Sequence, residues 1–254
     1  IENKNTIDNV SGSFVHNHAP YGGGAIYNEG TTGSITGNFV ANYVGLSRAG
    51  DQGHGGAIYN YRNGKIGHIS GNFVGNLAGQ GEGGGRGGAI FNDMNATIGS
   101  IAGRFVGNIA KNDGGAIKNE GTLGDVTGDF ISNSATSGSA IYNQKTVGNI
   151  TGDFIANVST STSGAVTNYH YAKMGHITGN FIGNSSISWG GAISNEGTIA
   201  SITGDFIDNT GAIYNGGMGT IGDITGNFIN NHSIKKDGGA IVNYKEIGSI
   251  TGNF

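Results

Sequence analysis

Ten of the eleven phenylalanines in this 254-residue chain fall in one recurring slot: Phe14, Phe39, Phe73, Phe105, Phe130, Phe154, Phe181, Phe206, Phe228 and Phe254. Two residues before each stands Gly, from Gly12 to Gly252, and four residues before each stands Ile or Val. An Ala followed by Ile or Val recurs nine times alongside them, from Ala25-Ile26 to Ala240-Ile241. Successive phenylalanines are 22 to 34 residues apart. A unit of about 25 residues, made of short β-branched runs punctuated by Gly and Asn, is the signature of a β-solenoid coil. Helical repeats need apolar residues at 3.6 spacing, and none is sustained over three turns. About ten such rungs predict an all-β chain that is one solenoid segment over residues 1–254. Ile1-Glu2-Asn3 matches the Ile-x-Asn of a rung and Phe254 falls inside the next unit. That predicts either a slice of a longer chain or copies stacked end to end.

Side-chain alternation sets the expected register. In Ser34-Ile35-Thr36-Gly37-Asn38-Phe39, strand geometry puts Ile35, Gly37 and Phe39 on the inner face and Ser34, Thr36 and Asn38 outside. Between the Asn of Ala-Ile-x-Asn and the next landmark Gly (Ala200 once), the connection holds four or six residues, never five. A one-residue slip would turn every side chain over, so this parity predicts extended chain through the connection. The same parity places the Ala of Gly-Ala-Ile outward, although nothing in the sequence explains why it is never larger.

Two Asn columns complete the unit. One contains Asn28, Asn60, Asn92, Asn119 and Asn143 and continues to Asn243; the other runs from Asn17 to Asn231. Stacked about 4.8 Å apart, each amide can donate to one neighbouring rung and accept from the other. Asn also tolerates the left-handed backbone of tight corners. These asparagines and the file through Phe39, Phe73, Phe105, Phe130 and Phe154 are structural ladders in this reading.

Composition narrows the function. Gly supplies 52 residues and Pro one, with no Cys, so collagen, a disulfide framework and thiolate chemistry are all excluded. Charged residues are 12% and the net charge is -4, which fits no basic nucleic-acid binder. No apolar run approaches the ~18 residues of a membrane helix.

The motifs Gly23-Gly24-Ala25-Ile26, Gly55 to Ile58, Gly87 to Ile90, Gly114 to Ile117, Gly190 to Ile193 and Gly238 to Ile241 alternate with nine Phe-x-x-Asn motifs, from Phe14 to Asn17 through Phe228 to Asn231. This pattern, which covers essentially the whole chain, resembles the polymorphic outer membrane protein repeats of chlamydial autotransporters. The resemblance implies a right-handed, single-stranded parallel β-helix, a passenger exported to a bacterial outer-membrane surface or beyond it, often for adhesion. No membrane barrel is present in the sequence, so any membrane attachment would come through a separate anchor.

The loop after Phe-x-x-Asn is the variable corner, swelling at Tyr43 to His54 and at Leu77 to Arg86. Loops on a rigid scaffold carry function disproportionately. Arg48, Asp51, His54, Glu82 and Arg86 are therefore candidate partner-binding residues, beside neutral insertion as the plainer reading. Tyr27, Tyr59 and Phe91 form an outward column flanking that corner, continued by Lys118 and Tyr142. Stacked rings support neighbouring strands, and the same stripe could meet a sugar or a protein.

Catalytic patterns are weaker. Parallel β-helices include carbohydrate-active enzymes with clustered carboxylates. Asp129 and Asp153, however, follow a repeat slot, with Arg104 before them and Asp205 two rungs beyond. Stacked aspartates repel unless a cation or Arg lies between them, so Ca2+ is the one cofactor alternative to none. His16-x-His18 could set two imidazoles on one strand face, without the carboxylates a metal site would use. Outward Thr recurs, but its neighbouring column carries His and Asp, which spoils an ice-binding lattice. The expectation is a non-catalytic extracellular scaffold, structural or adhesive, whose partner is a protein or glycan on a host or neighbouring cell. The alternatives are a subunit of a self-assembling fibre, packed end to end or side by side, and a carbohydrate-active enzyme.

Overall fold

The structure is a computed structural model and describes residues 1–45, 52–79, 84–161, 163–187, 190–234 and 238–254. Those residues form 39 strands and no helix. One full coil runs through Ile58–Asn60, Lys65–Ser70, Phe73–Val74 and Leu77–Ala78. Equivalent strands of successive coils pair in parallel, giving sheets of ten, twelve, nine and six strands. The chain is a right-handed parallel β-helix, the hand that parallel crossovers adopt. Register is strict: Asn60 lies opposite Asn28 and Asn92, Ile69 opposite Ile35 and Ile101, Phe73 opposite Phe39 and Phe105.

The interior is one continuous apolar cluster from Val10 to Phe228. All ten phenyl rings stack in a single file, with neighbouring centroids between 4.7 and 5.0 Å apart and planes within 5° of parallel. Both Asn columns run alongside. Asn28 Nδ2 donates to Asn60 Oδ1 at 2.8 Å, and Asn60 Nδ2 to Asn92 Oδ1 at 2.9 Å. In the second column Asn76 Nδ2 donates to Asn108 Oδ1 at 2.9 Å and to Phe39 O at 2.9 Å.

Simple alternation fails at the corners, because a closed coil must turn several times per rung. The Ala of Gly-Ala-Ile is not outward. Ala57 and Ile58 both donate their N–H to the Ala89 carbonyl, each at 2.9 Å. That bulge sends both side chains into the core, where Ala57 and Ile58 are fully buried. The residue stays small because it sits inside a close-packed corner. The preceding Gly55 has φ 62°, and a Cβ there would strike the Ile58 carbonyl. In the long strand, Ile66 and Ile69 both point inward three residues apart, with Gly67 and His68 both outside them. Gly71 (φ 134°) then bends the chain so that Phe73 also faces inward; the glycine marks a bend in place of a place on the inner face of a straight strand.

The connections are extended only in their last residues, such as Thr31-Thr32 and Lys65-Ile66, which open the long strands. Each six-residue version carries a β-turn with an i to i+3 hydrogen bond, as from Gly64 N to Tyr61 O at 2.9 Å and from Ala172 N to Tyr169 O at 3.0 Å. The ladder asparagine pins the same carbonyl in both versions: Asn28 Nδ2 reaches Gly30 O at 3.1 Å and Asn60 Nδ2 reaches Gly64 O at 3.0 Å. The two extra residues are thus looped out between fixed points, and this is the physical source of the parity. The Asn of Phe-x-x-Asn is likewise not the left-handed residue. That role belongs to the position before it, as at His16 (φ 53°), Ala41 (φ 52°), Ser132 (φ 53°) and Asp208 (φ 55°). The asparagine is spent on hydrogen bonds and its neighbour makes the turn.

Candidate functional site

The middle residue of Ile-x-Asn projects outward, and pairing aligns Tyr27, Tyr59, Phe91, Lys118, Tyr142, Thr167, Ser194 and Tyr214 in one column. Its upper half is covered. Gln52–His54 and Gly84–Arg86 pair in parallel, and the His54 ring lies 5.2 Å from Tyr59 and 4.8 Å from Phe91. Tyr59 retains 7% and Phe91 1% of its exposure. Tyr27 is half-buried and packs edge-on to Tyr59 at 5.5 Å. Of the sequence candidates, Tyr27, Tyr59, Phe91, His54 and Arg86 are brought together; Arg48, Asp51 and Glu82 lie outside the described residues.

A charge cluster closes this covered region. Arg86 faces Asp113 at 3.8 Å and Glu120 at 3.6 Å. Lys118, 1% exposed, lies 3.5 Å from each of the same carboxylates, with Nζ 3.8 Å from the centroid of the Tyr142 ring. Burial lowers the Lys118 pKa while Asp113 and Glu120 pull the other way. Burial, helped by the Arg86 charge, lowers His54 to about 4, so its ring is neutral at physiological pH. Burial also raises Tyr59, whose hydroxyl donates to Asp93 at 3.3 Å. The arrangement is a satellite core clamped by four charges. Asp113 and Glu120 escaped the sequence reading; the one trace of them was a Lys standing in an aromatic column.

The column then changes character. Thr167 and Ser194 are small where their neighbours are large, and a cavity of about 230 Å3 opens there. Tyr142, Tyr169 and Tyr214 line it, with Glu196 and a set of hydroxyls. Tyr169 stacks on Tyr142 at 6.0 Å, and Glu196 faces His170 at 3.2 Å. A wider cleft of about 590 Å3 lies beyond Tyr169, between the Tyr169–Tyr171 turn and Gly217-Met218.

The stacked aspartates have a structural use. Asp129 Oδ1 accepts from Asp153 N at 3.2 Å and Asp153 Oδ1 from Asn180 N at 2.8 Å, with Arg104 3.7 Å from Asp129 Oδ2. The residues His16 and His18 do not share a strand face, because the left-handed His16 lies between the strands Phe14–Val15 and His18–Ala19.

A search of curated proteins and of solved structures returns no match. The Chlamydia polymorphic membrane protein repeat matches residues 11–29 and 178–196. Each matched segment contains one Phe-x-x-Asn corner and the Gly-Gly-Ala-Ile that follows it. The geometry above gives both motifs their meaning: a left-handed turn closed by an asparagine ladder, then a left-handed glycine and an inward alanine. These two segments are similar to the Chlamydia polymorphic membrane protein repeat, the family that the motifs resemble.

Proposed function

We infer that this chain is an elongated, non-catalytic scaffold of the passenger type, displayed at a bacterial surface, which adheres to a protein or glycan of a host or neighbouring cell. One observation carries the reading. The polar side chains that recur in the repeat, including Asp129 and Asp153, bond to adjacent rungs and hold the rod together. Ten rungs at ~4.8 Å give a rod roughly 45–50 Å long, suited to holding a lateral surface away from its base. Beads coated with the purified chain are expected to adhere saturably to cultured host cells and to release no reducing ends from polysaccharides. Polysaccharide cleavage that Asp129→Asn and Asp153→Asn abolish would replace this reading with an enzymatic one.

A second reading, side-by-side assembly into a fibre, is favoured by the position after each ladder Phe. It is Val or Ile in nine rungs and exposed to 49% at Val15, 37% at Val74 and 44% at Ile229. Electron microscopy of the purified chain separates single rods from laterally joined ones.

A further inference from the structure

The outward column steps from large to small side chains in two consecutive rungs. Tyr142 precedes the step and Tyr214 follows it, while Thr167 and Ser194 pair with each other between them. Tyr142 and Tyr214 are three rungs apart, roughly 14 Å at ~4.8 Å per rung. Two missing rings leave the cavity of about 230 Å3. Its floor is the Thr167 and Ser194 hydroxyls, and its walls are tyrosine rings. On the far side Ser137 and Ser161 bond through their hydroxyls at 3.0 Å. At the rim Glu196 offers a carboxylate, one oxygen of which lies 3.2 Å from His170.

We propose that this cleft binds one neutral sugar residue of a glycan, seated over Thr167 and Ser194 between Tyr142 and Tyr214. A pyranose presents an apolar C–H face and a rim of hydroxyls that both donate and accept. The cleft supplies tyrosine ring surface for the first, most of it on the exposed Tyr169, and hydroxyls and a carboxylate for the second. Among the described residues no Lys or Arg lines it, and an anionic ligand would meet Glu196. Its volume is just below the usual range for small-ligand sites, about 300–1,000 Å3. That suits a single ring, and a recess of this kind offers a flat protein surface little area. This inference rests on the adhesive reading above and names its ligand class.

The test is titration of the purified chain, followed by NMR, with the methyl glycosides of glucose, galactose, mannose and N-acetylglucosamine, and with 3′-sialyllactose as the anionic probe. At least one neutral glycoside is expected to bind saturably, with Kd on the order of 1 mM. Thr167→Tyr gives this rung the residue that Tyr142 already provides one rung earlier, and should weaken binding more than tenfold. Ser194→Tyr fills the same space from the next rung and serves if the first variant melts early. The proposal is overturned if no neutral glycoside binds, if only 3′-sialyllactose binds, or if the folded filled variants bind like the parent. Bead adhesion separates the two readings. Adhesion by a chain that binds no glycoside removes the cleft proposal alone, whereas absence of adhesion by the parent removes the scaffold reading beneath it.

Discussion

Asn133 Oδ1 accepts two hydrogen bonds from Asn108 in the rung before, one from its backbone N–H and one from its side-chain amide, both at 3.0 Å. Asn133 in turn donates to Phe105 O and to Asn157 Oδ1, each at 3.0 Å. One buried side chain therefore satisfies groups in the rung before it and in the rung after it, and identical residues do the same above and below it.

Replacing Asn133 by Ala strands donors on Asn108 and the Phe105 carbonyl inside the protein. Each buried unsatisfied group costs about 1–3 kcal/mol, so Asn133→Ala is expected to destabilise by roughly 3 kcal/mol or more. Urea unfolding followed by circular dichroism reads this directly. An unchanged midpoint would mean that the ladder contributes no net stability.

The looped-out connections predict an unusual deletion result. Removing Arg62 and Asn63 together leaves Tyr61-Gly64-Lys65-Ile66, which aligns with Glu29 to Thr32 and keeps the bond from Asn60 Nδ2 to Gly64 O. That deletion should change stability by less than about 1 kcal/mol, as for most surface changes. Deleting Asn63 alone breaks the turn and displaces the pinned carbonyl, and should cost more than about 2 kcal/mol. Thermal melts of the two variants side by side are the check.

Lys118 is held by two carboxylates and an aromatic ring while almost fully buried. Removing one partner of a buried ion cluster typically costs about 3–5 kcal/mol, which is the expectation for Lys118→Ala. Lys118→Tyr refills the column between Phe91 and Tyr142 and leaves Arg86 to face Asp113 and Glu120. Its loss should be less than half as large in the same unfolding assay.

His54 links stability to pH. Its folded pKa of about 4 lies below the usual 6.5, so between these values the unfolded chain binds the extra proton. Its contribution is complete above pH 6.5, falls as pH drops from 6.5 to 4, and levels off below 4. The drop is at most on the order of 3 kcal/mol. His54→Phe, which keeps the packing on Tyr59 and Phe91, should flatten this part of the stability profile relative to the parent. Parallel profiles for the two proteins would show that His54 is not the group responsible.

The repeat alone determined the architecture. Phe, Gly, Ile and Asn recur at near-constant intervals, and a chain with those periods can bury its apolar residues only by stacking one coil on the next. Corners were less legible. Alternation describes a straight strand, so it put Ala57 outside and drew the connection after Asn60 as extended chain; a carbonyl of the next coil, shared by Ala57 and Ile58, and a side-chain hydrogen bond from Asn60 to Gly64 within the turn decide otherwise. The covered and open halves of the outward column were hidden for the same reason. Tyr59 and Phe91 have the same slot as Thr167 and Ser194, yet the His54 ring packs on the first pair and a cavity borders the second. Local order follows from neighbours in sequence, which a single chain displays in full. Which stretch of the column is packed over and which borders a cavity depends on side chains of different coils meeting in space, as His54 meets Phe91, and only the folded coil brings them together.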